Sequence, residues 1–346
     1  MIKKIISKIL LFLNLAIAFI LLISIISPYI NPNILWPISF LGLFFPIIIL
    51  SILTLCIIWY KLKKKFFWYN ILIILISTPY ILRFFSVSDT EIKEDGVNIM
   101  SYNVRLFNKW NWINDNNIYE KIINLSVSEK IDIFCIQEYS NPNNDLIFPY
   151  KYSHIGIQKN REDWHMAIYS NYPQINKSTV KINDNEMNNI CIFSDIIIKN
   201  DTIRVYNIHL ASNFFNNKDF NKIKSVQKEK FKKGIISIVK KLKDSFVRRG
   251  NQVDEIKNHI EESPYPVIIC GDFNDTPVSY AYQKLSDKKI DAFLESGNGI
   301  GATYIKFPLL RIDYILHDSR INSSEFKTHK NKLSDHRAIS CKLIFN

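Results

Sequence analysis

The sequence predicts an α/β domain preceded by an α-helical membrane region, and three features carry that prediction. Residues 1–88 are dominated by Ile, Leu, Phe, Trp, Tyr and Pro and contain three long apolar runs. From residue 97 onward, short runs rich in β-branched and aromatic residues alternate with longer polar stretches, the pattern of strands interleaved with helices. The acids, amides and histidines able to do chemistry fall at, or one or two positions beyond, the ends of those short runs. In α/β sheets such ends form the crevice where ligands bind.

The apolar runs are Ile5–Ile26, Leu35–Tyr60 and Phe66–Phe85. Each matches the roughly 20 residues that a helix needs to cross a hydrocarbon core. Trp36, Trp59, Tyr60, Trp68 and Tyr69 lie near their ends, where amphipathic rings prefer the interface. The first run is too long for a signal peptide, no small-residue cleavage site follows it, and two more runs come after. Lys3, Lys4 and Lys8 precede the first run and Lys61, Lys63, Lys64 and Lys65 follow the second, whereas Ser27–Ile34 carries no charge. Positive-inside logic puts the N-terminus and the Lys61–Lys65 loop in the cytoplasm, so three crossings deliver everything after residue 88 to the outside. The third run carries Asn70, Pro79 and Arg83; a re-entrant helix there would leave the domain in the cytoplasm. The expected division is a membrane region over 1–88, a polar linker over 89–96 and a catalytic domain over 97–346.

Charge and cysteine content narrow the function. Of the formal +12, the membrane region and its flanks up to residue 90 hold +7, and residues 213–250 hold +9. Basicity is thus local to one segment, and the global charge is no argument for nucleic acid. Five cysteines, an odd number without paired spacing, argue against a disulfide framework and a zinc site. Cys135, Cys191, Cys270 and Cys341 sit in apolar runs and read as buried core thiols.

Strands are expected near Val97–Tyr102, Ile131–Ile136, His165–Tyr169, Ile190–Ile198, Ile203–His209, Val267–Cys270, Ile312–Leu316 and Ala338–Leu343. Helices are expected at Ile118–Glu129 and across Asp219–Phe246, continuing through Val253–Glu262. In the latter, Ile235, Ile236, Val239, Leu242 and Phe246 recur at helical spacing and imply one buried face. Its lysines read as a solvated face, or else as a rim for a phosphate-bearing or anionic-lipid partner.

Several independent strands end in the groups that phosphoryl transfer requires. A hard divalent cation prefers carboxylate, amide and water oxygens, which Asn103, Glu138 and Asp335 offer. Asp272 suits the orientation or deprotonation of an attacking water, and His209, Asn274 and His336 can donate to charge growing on phosphate oxygens. Asp313 can accept a hydrogen bond from His336 and raise its basicity. Arg105 and Arg311, beside these residues, are candidates to bind a substrate phosphate, with salt bridges inside the fold as the other reading.

Ser101-Tyr102-Asn103, Gln137-Glu138, Asn207-Ile208-His209-Leu210, Gly271-Asp272-Phe273-Asn274, Arg311-Ile312-Asp313-Tyr314 and Ser334-Asp335-His336 occur in an order that resembles the endonuclease/exonuclease/phosphatase superfamily, the deoxyribonuclease-like fold. Met166–Pro173, Asp291-Ala292-Phe293 and Gly301-Ala302-Thr303-Tyr304 resemble it too. The resemblance implies two packed mixed β-sheets flanked by helices, a four-layer sandwich with the site at one end. It implies Mg²⁺, or Mn²⁺ as a substitute, held mainly by Glu138, with Asp272 aligning the water and His336 stabilising the phosphate or assisting departure. His209-Leu210 looks more like the phosphatase and sphingomyelinase branches than the abasic-site nucleases.

The expected protein is a membrane-anchored bacterial phosphoesterase of the cytoplasmic (inner) membrane. Its partners are a phosphate-ester substrate (phospholipid, nucleic acid or small molecule) and the lipid bilayer. A tethered nuclease is the alternative within the class, and a catalytically inactive membrane adaptor the alternative outside it.

Overall fold

The first apolar run contains neither Pro nor Gly before Pro28, and in the computed structural model it forms one unbroken helix, α1 (Ile2–Ser24). The run expected as one span over Leu35–Tyr60 contains Pro37, Gly42 and Pro46, and it does not stay straight. It resolves into the end of α2 (Pro32–Leu35), then α3 (Pro37–Leu43) and α4 (Phe45–Lys61), with α3 and α4 bent by 65°. The cause is local. Pro46 has no N–H to give to the carbonyl four residues back, which is Gly42. That carbonyl accepts instead from the Thr276 hydroxyl of the following domain, at 2.9 Å. The third run forms α5 (Phe66–Ile81). By length and composition Ile5–Tyr29 and Phe66–Phe84 can each cross a membrane, and α3 with α4 only as a bent pair.

The polar residues of these runs face one another. Asn14 Oδ1 accepts from the Trp59 indole at 3.0 Å and from Asn70 Nδ2 at 2.9 Å, so one buried acceptor links α1, α4 and α5.

The structure describes residues 2–88, 95–141, 147–156, 164–183, 191–213 and 228–345. Most of the linker expected over 89–96 and the helix start expected over 219–227 lie outside them. After α5 the helices among the described residues are α6 (Ile118–Ser128), α7 (Lys228–Glu261), α8 (Tyr280–Leu285) and α9 (Ala292–Ser296). The strands are β1 (Ser86–Val87), β2 (Val97–Asn103), β3 (Ile133–Tyr139), β4 (Tyr152–Gly156), β5 (His165–Ser170), β6 (Gln174–Thr179) and β7 (Cys191–Ile198). They continue as β8 (Asp201–His209), β9 (Val267–Asp272), β10 (Lys289–Asp291), β11 (Asn298–Gly299), β12 (Asp313–Asp318), β13 (Ile321–Thr328) and β14 (Ile339–Phe345).

Two six-stranded mixed sheets result, in the orders β13-β14-β2-β3-β5-β4 and β10-β12-β9-β8-β7-β6. Their inner faces interdigitate through Ile99, Ile168, Ile192, Val205, Ile268, Ile315 and Ile339, with Cys135, Cys270 and Cys341 among them. A second apolar layer, including Val253 and Ile256 of α7, covers the outer face of the β9 sheet. A third, including Ile118 and Ile122 of α6, covers the outer face of the β2 sheet. Helix, sheet, sheet and helix give the four-layer sandwich.

The N-terminal apolar helices are fastened to this sandwich at many points. Val278 is buried among Leu21, Phe45 and Ile52 of the helical bundle. Asn31 Nδ2 donates to Asp254 of α7 at 2.8 Å, and Phe40 packs edge-on against Phe246 with ring centroids 5.3 Å apart. Arg83, just after α5, donates to the Pro277 carbonyl at 3.1 Å and to Gln283 at 2.9 Å. β1 then pairs with β11.

Replacing Asn14 by Leu removes the acceptor shared by Trp59 and Asn70. The expected loss is about 1–2 kcal/mol, the upper range for interhelical hydrogen bonds in membranes. Unfolding of the detergent-solubilised chain measures it, and unchanged stability would show that the shared acceptor contributes nothing.

Candidate active site

Strand register lines up the first group of side chains. Parallel β8 and β9 put His209 opposite Asp272, and antiparallel β12 puts Asp313 opposite Asp272 from the other side. Three chemically capable residues therefore stand abreast on neighbouring strands. Gly271 permits the close approach: at φ +150°, a Cβ there would meet the Ile208 carbonyl oxygen at 1.9 Å. In the other sheet, parallel β2 and β3 put Asn103 beside Gln137. Between Ile136 and Tyr139 the register with β5 slips, and Glu138 takes a left-handed backbone at φ +51°. Such a bulge re-aims a side chain, and this one brings the Glu138 carboxylate to Asn103 and His209. His336, just ahead of β14, is held by a bridge to Tyr304.

The two rows meet. Asn103 Nδ2 donates to Glu138 Oε1 at 3.1 Å and to Asp272 Oδ2 at 3.0 Å, while its own oxygen accepts the Arg105 N–H at 3.1 Å. His209 Nε2 lies 3.7 Å from Glu138 Oε1 and 3.6 Å from Asp272 Oδ2. His336 sets Nδ1 3.0 Å from Asp313 Oδ2 and Nε2 3.6 Å from Asp272 Oδ2. Asp335 lies 3.4 Å from Arg105 Nε and 3.8 Å from Lys306 Nζ. Asp272 accepts the Asn274 N–H at 2.8 Å, and Asn274, itself at φ +52°, donates its amide to the Leu210 carbonyl. Below the site, Gln137 and Asn207 bond across the sheets at 2.7 Å, a buried seam that fixes their separation.

Crowding sets the charge states. Burial pushes Glu138 up to about 7, with the Asp335 and Asp272 charges adding to the rise against the Asn103 hydrogen bond and the His336 charge. Burial also raises Asp272, as does the Asp313 charge, while both histidines act in the opposite sense. Burial works against a charge on His336, but Asp313 and Asp272 outweigh it and hold the imidazolium up to about 10. Glu138 and His209 retain side-chain exposures of 14% and 19%, whereas Asp272 and Asp313 fall to 1%. The opening is therefore on the Glu138 side, with the His336–Asp313 pair beneath it.

Two sets of atoms invite a cation. Asp272, Asp313 and His336 offer ligand atoms within 4.8 Å of one another. Of these, His336 Nδ1 and Asp313 Oδ2 are already hydrogen-bonded at 3.0 Å, and the group is buried away from the opening. Glu138 fits better: a carboxylate near the opening whose proton affinity is raised by burial and by the charges of Asp335 and Asp272. A hard cation there would replace the proton that crowding favours on Glu138.

The structure thus brings together Asn103, Arg105, Glu138, His209, Asp272, Asn274, Asp313, Asp335 and His336. It does not bring Arg311, and the expectation that this residue binds substrate is corrected. The Arg311 guanidinium is fully buried, donates to Asp291 Oδ2 and to the Arg83 carbonyl at 2.7 Å each, and lies over Phe293 and Tyr314. Tyr304, expected only as part of the family-like Gly301–Tyr304, packs on His336 with ring centroids 5.4 Å apart. Lys306, 3.8 Å from Asp335, was missed, because residue type alone carried no signal for it.

Asp313→Asn is expected to drop the His336 pKa from about 10 toward its ordinary value near 6.5, visible in an NMR titration of its ring. The sign for stability follows. The folded pKa is raised, so the His336–Asp313 pair contributes fully below the unfolded pKa and is lost as pH rises through about 10. Arg311→Ala leaves the buried Asp291 charge unpaired and is expected to destabilise by roughly 3–5 kcal/mol. Thermal unfolding tests this, and a variant of full stability with weakened substrate binding would return Arg311 to the site.

A model of the Endonuclease/Exonuclease/phosphatase family matches residues 100–336, more than half of the chain. Residues 7–84 match a domain family of unknown function. No curated protein matches the chain. Among solved structures, an endonuclease/exonuclease/phosphatase family protein from Bacteroides thetaiotaomicron aligns at TM-score 0.52 and 14% identity, over 74% of this chain and 100% of that one. The human Nocturnin catalytic domain with bound sulfate aligns at 0.51 and 14%, over 74% and 96%. D. rerio TDP2 complexed with single strand DNA product aligns at 0.51 and 14%, over 72% and 100%. At these identities the likeness is one of fold, and it coincides with the residues of the family match. The chain belongs to the endonuclease/exonuclease/phosphatase family and is a hydrolase of phosphate ester bonds.

Proposed function

We propose that the chain is a divalent-metal-dependent phosphoesterase anchored in the cytoplasmic membrane of a bacterium, cleaving a phosphate ester by attack of an activated water. One observation carries the reading: the Asp272 carboxylate lies 3.6 Å from both His209 and His336, with Glu138 across the opening.

In this reading a water oxygen bonds to phosphorus as the bond to the leaving oxygen breaks. Asp272 orients the water and accepts its proton, and the leaving oxygen departs with the bonding pair and takes a proton from solvent. The His336 imidazolium, held by Asp313, donates Nε2–H to a phosphate oxygen, and His209 donates to another. Asn103 keeps the Glu138 and Asp272 carboxylates apart at fixed spacing, and Asn274 fixes Asp272 through its backbone N–H. Arg105, stacked 4.1 Å over the Trp112 ring, reaches the rim beside Asp335. A divalent cation on Glu138, with Asp335 and Asn103, would neutralise charge developing on the phosphate.

The membrane reading draws support from the attachments. Both Asn31, in the uncharged loop after α1, and Arg83, after α5, bond to the catalytic domain, as segments on one side of a bilayer must. Lys61–Lys65 join α4 to α5 at the opposite ends of those helices. The attachments at Thr276, Val278 and Arg311 follow β9 or precede β12, the same end of the sandwich as Asp272 and Asp313. With exposed Trp110, Trp112 and Phe307 also available, this favours a phosphate ester carried at the bilayer surface. A nucleic-acid substrate is the second reading, because the same tryptophans suit base stacking and one solved neighbour holds a DNA product.

The test uses the full chain in detergent with Mg²⁺, assayed on an aryl phosphodiester, phospholipid and single- and double-stranded DNA. Chelation is expected to abolish turnover, and Glu138→Ala, Asp272→Asn and His336→Ala each to lower it by roughly 10²–10⁴-fold. Activity surviving all of these refutes the mechanism. Because burial raises Glu138 to about 7, the cation must displace a proton at lower pH. Mg²⁺ affinity is expected to climb as pH rises toward 7 and then level, measurable by calorimetry.

A further inference from the structure

The N-terminal half of α7 carries an apolar stripe that starts inside the protein and runs out of it. At about 100° per residue, Phe231, Ile235, Ile238, Leu242 and Phe246 fall within a sector of roughly 80°. Phe246 and Leu242 are buried, Phe246 against Phe40 of α3. Further toward the helix start the stripe is uncovered, with Ile235 41% and Phe231 43% exposed. Lys230 and Lys241 flank the stripe on one side and Lys232 and Lys243 on the other, each roughly 80–120° from its centre. The acids of this half, Glu229 and Asp244, fall on the opposite face.

The stripe leaves the protein at a particular level. Its covered end rests on α2 and α3, where Pro32 meets Gly250, Lys243 lies over the Trp36 ring and Phe40 meets Phe246. Ile34, Leu35 and Phe44 around the same layer are exposed apolar residues of the membrane region. The uncovered turns continue from that layer.

We propose that the first half of α7 lies in the headgroup region of the same membrane, as a built-in binding surface for anionic phospholipid. Its stripe enters the acyl boundary, and Lys230 and Lys232, which flank the uncovered turns, run their methylenes along it while their ammonium groups meet lipid phosphates. Charge decides the occupant. A second copy would set lysine against lysine, and a nucleic-acid strand would leave the central apolar stripe without a partner. The inference rests on the membrane reading above and goes beyond it, since spans alone do not require a soluble-domain helix to touch lipid.

Every cysteine of the chain is buried, so an introduced one takes a label selectively. Nitroxides at Ile235→Cys, Lys233→Cys and, on lipid-facing α1, Phe12→Cys are compared in the full chain. The chain is reconstituted in vesicles of phosphatidylcholine with phosphatidylglycerol, and Phe231→Cys replaces Ile235→Cys if that variant misfolds. The expected result is preferential relaxation by oxygen at 235 and 12, and by a water-soluble nickel chelate at 233. Omitting phosphatidylglycerol is expected to shift 235 toward the chelate and leave 12 unchanged. A 235 label as chelate-accessible as 233, with 12 still in lipid, overturns this proposal and leaves the anchor standing. Chelate access at 12 overturns the anchor and the proposal together. Dipolar coupling between 235 labels assigns the stripe to a second copy and likewise overturns it.

Discussion

Glu138, Asp272, Asp313 and Asp335 converge on one end of the sandwich, and the repulsion among these carboxylates is the constraint that the rest of the site offsets. Asn103 gives its amide to two of them at once. His336 becomes a lasting cation because Asp313 and Asp272 both face it, and Arg105 and Lys306 close on Asp335. Glu138 is left at the opening with its proton affinity raised, the condition in which a carboxylate gains most from a metal ion. The backbone shares the cost: Glu138, Arg105 and Asn274 all hold left-handed conformations, and local strain of this kind persists where surrounding structure over-determines it.

Much of this was legible in the sequence because central strands announce themselves. All eight expected strands exist, and every one of them lies inside a sheet. Among the described residues, the six that escaped are the four sheet edges, β4, β6, β10 and β13, and the two-residue pair β1 and β11. Edge strands are half solvated, so β6 reads Gln-Ile-Asn-Lys-Ser-Thr and shows no alternation to detect. The polar residues at strand ends were visible for the complementary reason: nothing in packing calls for Asp272 or His336 there. Arg311 was misread because a guanidinium beside a motif looks the same whether it faces a ligand or a buried Asp291. Only the third dimension separates the two.

The bend in the second apolar run is of the same kind. Pro46 and Gly42 are plain in the sequence, yet proline in a span is ordinarily tolerated because some neighbour takes the freed carbonyl. Here the neighbour is Thr276, four residues beyond Asp272 and in a different part of the chain. The loop that leaves β9 is thereby a contact surface of the helical bundle, and the orientation of the site relative to the apolar helices is set by packing.

That link also decides what kind of object the enzyme is. A cut in the segment after α5 would not release a ready-made soluble hydrolase. It would strip the carbonyl from Thr276, the Arg83 carbonyl from buried Arg311, and the apolar jacket from Val278 and Phe246. The bundle is in this sense the missing wall of the sandwich, and the described apolar helices and sheets pack as a single unit.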